Sequence, residues 1–465
     1  MSLNFRDIRI TDRELIESYT AKAMSHSCDL AFANIYCWQE FYHSQIAIVE
    51  GFLVIRFLID GEADRLGYMY PLGDGDASSI LPLLEADAAQ HNTILRLYDI
   101  PTCALRRIKE YNAMYAVFAF RAEADYIYSA LSLSSLTGAA LKSKRNFVKG
   151  FTQLYNYTYA PLQNDDIDEC LEICRKWRDG QRKHDRSHEE EYQAIKRAFY
   201  NFKQLDLSGG CIRVDGKMVA FTYGSAINND TFCIHIEKAL PEYRGAYAAI
   251  NKLFAETLPY QYVWINREED MGLAGLRKAK LSYRPAMMQM KFRAELINGA
   301  QQRCYRLWSK VFKEDIEDGT ADMFLMTIFS EERMLTIDAI DGEIASMLHI
   351  VPMQTELGKT AYIFAVATDE SYRKRGYASQ LMRQALKRID NEGYDATMLI
   401  AATDSLKEFY SKFGFIATEI PILFDHEIDL GTGIEGHDLA MIRLRRASLL
   451  ESFNSPLKAT HIAEI

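Results

Sequence analysis

The residues best suited to chemistry are Arg373-Lys374-Arg375-Gly376-Tyr377-Ala378. They follow an apolar, strand-like run, Tyr362 to Ala367, and open an amphipathic helix expected over 379–389. A strand, a tight loop and a helix N-terminus make an anion site. The first N–H groups of a helix lack intrahelical partners, and the helix dipole adds to their pull. Successive N–H groups from Arg375 to Ser379 would form a nest for phosphate oxygens. Gly376 lets the backbone come close with no Cβ in the way, and Arg373, Lys374 and Arg375 add positive charge. Downstream lies Phe409-Tyr410-Ser411-Lys412-Phe413-Gly414-Phe415. The Tyr410 phenol could donate a proton while neutral, or it could simply pack beside Phe409 and Phe413.

A second set of polar residues lies earlier. His235 and Glu237 are expected to alternate onto one face of a strand, with Lys238 on the other. Asn266, Arg267, Glu268, Glu269 and Asp270 follow an apolar strand, a usual place for a site in layered folds. A buried salt-bridge network is the equal alternative. Ser282 has no His/Asp pairing that would make it a nucleophile. Lys142, Arg145 and Lys149 share a helix face at i, i+3, i+7 spacing, with Lys144 beside them. That face could meet tRNA phosphates or anionic lipid headgroups, or be an ordinary solvated surface.

The elements that must position these residues fall into three segments, 1–130, 131–295 and 300–446, with a tail at 447–465. The first carries a helix over 12–23, paired strands at 45–50 and 52–58, a helix over 80–90 and strands at 93–97 and 114–120. The second has strands joined through Asp215-Gly216, a strong hairpin signal, then a strand at 231–237, a helix over 244–257 and a strand at 262–266. The third repeats this order: a hairpin through Asp341-Gly342, a strand at 361–368, the helix, a strand at 397–401, a helix over 405–412 and two final strands. Tyr-Arg-Gly-Ala-Tyr-Ala at 243–248 and Tyr-Arg-Lys-Arg-Gly-Tyr-Ala at 372–378 occupy the same place, which reads as an internal duplication. The earlier copy is one residue shorter, so its cradle is expected to be remodelled or lost. The fold class is α+β, with mixed, mostly antiparallel sheets flanked by helices.

A chain of 465 residues is too long for one ordinary core. With 48% hydrophobic and 25% charged residues it is a folding composition, not a disordered one. The net charge of −10 argues against broad nucleic-acid coating. No apolar run approaches the roughly 20 residues of a bilayer span, and the first residues lack a signal-peptide core. The eight cysteines form no CxxC pair and no metal spacing with histidine. Scattered through apolar contexts, they suit a reducing, cytoplasmic compartment, and no metal is expected.

Residues 300–446 resemble the GNAT N-acetyltransferase superfamily. Its phosphate-loop pattern, Arg or Gln-x-x-Gly-x-Gly or Ala, is met by Arg373, Gly376 and Ala378. The resemblance implies acetyl-CoA as co-substrate, with its pyrophosphate on Arg373, Lys374, Arg375, Gly376, Tyr377, Ala378 and Ser379. It also implies a bulged strand at Val366-Ala367-Thr368 whose N–H groups polarise the thioester carbonyl, a term worth about 3 kcal/mol per pre-organised donor. Tyr410 falls where the family places the general acid. The stretch Thr397-Met398-Leu399-Ile400 lacks the glutamate many members use as base, and Thr403 stands where asparagine is frequent.

Residues 1–295 look like the bacterial family named after the C-terminal domain of phosphatidylglycerol lysyltransferase. The match is dense at Ile234–Ala239 and from Trp264 through Pro285. It implies a tandem pair of acetyltransferase-like units, a form used to move an amino acid from aminoacyl-tRNA to an amine or lipid acceptor. His235, Glu237, Asn266, Arg267 and Asp270 are the candidate residues there. The lipid-making relatives carry a large membrane domain that is not seen in this sequence.

Three readings follow. One is an acetyl-CoA-dependent N-acyltransferase acting on an amine through residues 300–446. Another is an aminoacyl-tRNA-dependent transferase centred on the N-terminal pair. The last is a non-catalytic scaffold of the same fold.

Overall fold

Asp215 and Gly216 both take positive φ, 50° and 85°, and close the hairpin between strands Ser208–Val214 and Lys217–Ala226. This is the type I′ geometry that suits strand twist. The second Asp-Gly also turns the chain, with Gly342 at φ 83° and Ala339 N–H donating to Glu343 O. The computed structural model that shows these turns describes residues 3–23, 25–179, 186–424, 430, 438–445 and 456–461. Contacts divide the chain into two units, residues 1–111 with 119–295, and residues 112–118 with 296–465.

The first unit is built on two sheets. One runs Arg6–Asp7, Gln45–Val49, Phe52–Leu58, Leu66–Met69, Arg96–Ile100, Phe292–Leu296. The other runs Met287–Gln289, Asp125–Ser129, Trp264–Asn266, Thr231–Ala239, Lys217–Ala226, Ser208–Val214, Tyr157–Pro161. Sequence boundaries cut across this arrangement. Strand Asp125–Ser129, placed before the expected boundary at 130, belongs to the second sheet, and Phe292–Leu296 returns to the first.

The second unit holds Met334–Asp338, Ile344–Thr355, Gly358–Thr368, Ala396–Ile400, Leu439–Leu444, Ile416–Phe424 and Leu457–His461, in that order across its sheet. Leu457–His461 falls in the segment read as a tail; Met353 pairs with His461 and Ile422 with Leu457. Residues 447–455 and 462–465 of that tail lie outside the described residues.

Each sheet contains one strand–helix–strand turn whose strands pair in parallel. These are Leu66–Met69, helix Leu81–Gln90 and Arg96–Ile100; then Thr231–Ala239, helix Ala246–Thr257 and Trp264–Asn266; then Gly358–Thr368, helix Tyr377–Asn391 and Ala396–Ile400. Most other pairings are antiparallel. The parallel connection needs a covering helix, and the helix N-terminus then points to the end of the sheet where those strands finish. The apolar stripes explain the packing. Leu381, Met382, Ala385 and Ile389 of the last helix bury against Leu348, Ile350, Ala361 and Ile363, the i, i+4 spacing of one helix face.

Candidate functional site

In the C-terminal unit, three local features converge near Gly376. The first is a bulge. Met347 pairs with Ala367 and His349 with Phe364, so Leu348 alone opposes Ala365 and Val366. Ala365 takes φ 49° to absorb the extra residue. The bulge was expected at Val366-Ala367-Thr368 and begins one residue earlier. Beyond it, Ala367 is paired again, and the Thr368 hydroxyl hydrogen-bonds the Ser346 hydroxyl at 2.9 Å.

The second feature is a parting of strands. Gly358–Thr368 and Ala396–Ile400 pair in parallel only at Thr360/Ala396, Ala361/Thr397 and Tyr362/Met398. Past Tyr362 the former runs on for six residues without this neighbour.

The third is the loop. Lys374 has φ 65°, and Gly376 caps the helix at φ 82°. The first N–H of the helix with a backbone acceptor is that of Gln380, on Gly376 O at 3.0 Å, so the donors from Tyr377 to Ser379 have no backbone partner among the described residues. A Cβ at Gly376 would meet nothing within 4 Å. Arg375 donates to Ser371 O at 3.2 Å with its guanidinium 4.9 Å from the Tyr372 ring centroid, and Tyr377 stacks on that ring at 6.3 Å. From Ser379 a groove of about 650 Å³ follows the helix past Arg383, Lys387, Asp390, Lys412 and Arg443. Asp390 is held by Arg443 at 2.9 Å through both oxygens, which leaves three cations in the groove without an ion pair among the described residues.

Tyr410 sits on helix Asp404–Ser411, capped by the Thr403 hydroxyl, which accepts from Leu406 N–H at 3.3 Å. Its ring lies 5.1 Å from Phe409 and 6.2 Å from Phe415, in the cluster that includes Ile363 and Leu399. Those two follow directly on the last parallel pair, so Tyr410 packs where the strands part. Burial pushes its hydroxyl up to about 12, and it stays protonated at neutral pH.

In the N-terminal unit the candidate residues separate into distinct clusters. Tyr223 pairs with Ile236 and Gly224 with Ile234, which leaves His235 as the extra residue of a bulge. The period-2 expectation therefore fails: His235 and Glu237 do not share a face. The His235 ring hydrogen-bonds the Ser225 hydroxyl at 2.8 Å through Nε2 and meets Glu268 at 3.1 Å through Nδ1. Glu237 accepts from Asn251 of helix Ala246–Thr257 at 2.9 Å and from Arg267 at 2.8 Å. Lys238, expected opposite His235, pairs with Phe221 and reaches Glu191 at 2.9 Å. Phe221 and Tyr223 share one core cluster with Cys233, so Lys238 and His235 lie on the same side.

Asn266 is fully buried and donates to Asp125 at 2.8 Å and to His26 O at 2.6 Å. Asp270, buried, accepts from Tyr126 at 2.6 Å and Arg277 at 2.9 Å and faces Arg121 at 3.3 Å. Hydrogen bonds from Arg277 and Tyr126 outweigh its desolvation and hold it down at about 2, the signature of a structural ion pair. Around Asp270, then, the salt-bridge alternative is what the structure contains.

Two features were missed in the sequence. Lys291 is buried with its ammonium 3.0 Å from Asp125, 3.2 Å from Asp29, 3.4 Å from Glu269 and 3.2 Å from Cys28 Sγ. Burial pushes Asp125 and nearby Asp99 up to about 7. Lys280 donates to the carbonyls of Arg267, Glu268 and Glu269 at 2.6, 3.1 and 2.5 Å, holding a turn in which Glu268 takes φ 56°.

The basic helix forms as Lys142–Leu154. Lys142 and Lys149 are exposed, whereas Arg145 donates to the carbonyls of Leu136 and Gly138 and Lys144 lies 4.0 Å over the Tyr283 ring. Burial lowers the Lys144 ammonium. No helix among the described residues is long and apolar enough to cross a membrane.

The fold and these sites define a chain of tandem acyltransferase-like units of α+β class. The family model "Phosphatidylglycerol lysyltransferase, C-terminal" matches residues 20–295, and "Acetyltransferase (GNAT) domain" matches 296–417. The chain belongs to the phosphatidylglycerol lysyltransferase C-terminal family, with a GNAT acetyltransferase domain fused behind it. These domains are of transferase type.

A conserved protein of unknown function from Bacteroides thetaiotaomicron VPI-5482 is 38% identical, with 63% of this chain and 99% of that one covered and a TM-score of 0.60. L-PGS from Bacillus licheniformis is 13% identical over 61% of this chain and 91% of its own, with a TM-score of 0.44. A GNAT family N-acetyltransferase from Escherichia coli in complex with CoA is 17% identical over 35% and 85%, with a TM-score of 0.28. No curated protein matches the chain.

Proposed function

We propose that the C-terminal unit is an acyl-CoA-dependent N-acyltransferase that uses acetyl-CoA and an amine acceptor. The observation that carries this reading is the open helix N-terminus at Gly376, directly after a bulged strand that has parted from its parallel neighbour. The pyrophosphate would lie on the N–H groups of Tyr377, Ala378 and Ser379, with Arg373 and Lys374 beside it. The cations of the adjoining groove would face the ligand's remaining phosphate. The thioester would reach between the parted strands, where N–H groups around Ala365 and Val366 meet the oxyanion.

The amine nitrogen bonds to the carbonyl carbon and loses a proton to water. The C–S bond then breaks, the thiolate takes the Tyr410 proton, and the phenolate regains a proton from the protonated water. His349 is no base for this step. It sits among Trp308, Phe324 and Phe329, and burial drives it down to about 3. Seven of the eight cysteines are buried free thiols, which suits the cytoplasm, where acyl-CoA is made.

Calorimetry with acetyl-CoA tests the reading on the whole chain and on Gly376→Asp and Arg373→Glu. Micromolar binding lost in both variants, with unchanged circular dichroism, is the expected result. A folded wild-type chain that does not bind would remove it.

A second reading rests on the N-terminal unit. Arg267 Nη1 and Asn251 Oδ1 are buried without hydrogen-bond partners among the described residues, and both residues bond Glu237. A spare donor and a spare acceptor beside a carboxylate suit the polar groups of an aminoacyl donor. Aminoacyl-tRNA would then meet the exposed Lys142 and Lys149, and an anionic lipid headgroup could be the acceptor. Retention of charged tRNA that is weakened by Lys142→Glu with Lys149→Glu, and that falls with salt, would support this; salt-independent retention would end it.

A further inference from the structure

We propose that Cys233, His235 and Glu268 form a binding site for a zinc ion, independent of the acyl-CoA reading. The sequence alone hides it, because His235 is set beside Glu268 only by the bulge. The geometry rests on sheet register. Cys233 pairs in parallel with Asn266, so Glu268, two residues on, comes level with His235. The bulge keeps His235 on the Cys233 side of the sheet, next to Ser225, which pairs with Cys233.

The three ligand atoms lie within 4.8 Å of one another. His235 Nδ1 is 3.1 Å and Cys233 Sγ 3.6 Å from the same oxygen, Glu268 Oε1. A tetrahedron built on ordinary Zn–N, Zn–O and Zn–S lengths has N–O and S–O edges of about 3.3 and 3.5 Å. The spacings are those of ligands around one zinc ion.

Two further observations point the same way. His235 Nε2 is already engaged by the Ser225 hydroxyl at 2.8 Å, the outer hydrogen bond that fixes the tautomer leaving Nδ1 free to ligate. Asn34 donates to Glu268 Oε1 at 3.0 Å and orients that carboxylate.

The donor set of thiolate, imidazole and carboxylate suits zinc rather than magnesium or calcium. Three protein ligands leave a fourth place for water or a substrate atom. The ligand atoms of the neighbouring trio Cys28, Asp125 and Glu269 also lie within 4.8 Å of one another, but the Lys291 ammonium lies among those three groups and is their cation. The Cys233 thiol must lose its proton on binding. Affinity should therefore rise with pH.

Cobalt substitution tests the site on the full chain. One equivalent of Co²⁺ should give a thiolate-to-cobalt absorption band and intense visible bands of a tetrahedral ion, and Zn²⁺ should abolish them. Zinc affinity, read by competition with a chromophoric chelator, should fall more than about a hundredfold in Cys233→Ala and His235→Gln. It should fall about 10–100-fold in Ser225→Ala, as for an outer partner, and should not change in Cys28→Ala. If Cys233→Ala fails to fold, the wild-type cobalt spectrum and His235→Gln decide. No thiolate band in folded wild-type protein, or zinc affinity equal to wild type in folded His235→Gln, would overturn the proposal.

Discussion

Gly245 and Gly376 hold the same backbone position, the left-handed residue before a helix, at φ 91° and 82°, yet what lies in front of them differs. A Cβ on Gly245 would stand 2.6 Å from Phe147 O, whereas one on Gly376 would meet nothing within 4 Å. The earlier helix also spends its first donor internally, Ala246 N–H on Tyr243 O at 3.0 Å. The loop at 243–248 has the same turn, and the space in front of it is filled by the helix Lys142–Leu154.

The two glycines should therefore respond differently to alanine. Gly376→Ala should cost about 1 kcal/mol or more for its positive φ while weakening acetyl-CoA binding. Gly245→Ala should lower the melting temperature further, because backbone must move, and leave acetyl-CoA binding as it was. Equal losses of stability in the two variants would show that the Gly245 contact carries no strain.

Tyr410→Phe removes a hydroxyl that makes no hydrogen bond among the described residues, so stability should change by less than about 1 kcal/mol. Turnover should fall about a hundredfold or more if that hydroxyl protonates the thiolate, with the KM for acetyl-CoA little altered. Steady-state kinetics with any accepted amine gives the answer, and unchanged kcat would assign Tyr410 to packing alone.

Gly224 faces the His235 bulge, and a Cβ there would collide with Cys233 O and come within 2.6 Å of the Phe232 ring. Gly224→Ala should destabilise the N-terminal unit by roughly 3 kcal/mol, at the upper end for a single substitution. Chemical denaturation followed by circular dichroism measures it. A change under about 1 kcal/mol would mean the bulge relaxes freely.

Burial, with Asp29 and Asp125 nearby, pushes Asp99 from 3.8 up to about 7. Between these values the unfolded chain has released a proton that the folded chain keeps, so stability falls as pH rises through this window and then levels. Asp99→Asn should raise the melting temperature relative to wild type at pH 8 and much less at pH 4. Asparagine also tolerates the φ of 51°. A pH-independent difference would refute the charge argument.

Local patterns made much of this legible in the sequence. The Asp-Gly hairpins, the apolar stripe of helix Tyr377–Asn391 and the loop before it announce themselves over a few residues. The bulge at His235 was less visible, although Gly224 inside an apolar run is the ordinary sign of one. Lys291, Cys28 and Asp125 could not be joined from the sequence, since they are far apart along the chain and meet only when two sheets of one unit close. Strand Leu457–His461 was read as part of a tail because its burial alternates over only five residues.

The Lys280 ammonium, on which three successive carbonyls converge, gives the turn at 267–269 a mechanical property. Glu268 belongs to the proposed zinc ligands and Glu269 to the Lys291 cluster, and both hang from the same internal pin. Removing that one ammonium, by Lys280→Met, loosens the backbone that carries both carboxylates. The two clusters can thus be perturbed together from a residue that donates to neither carboxylate.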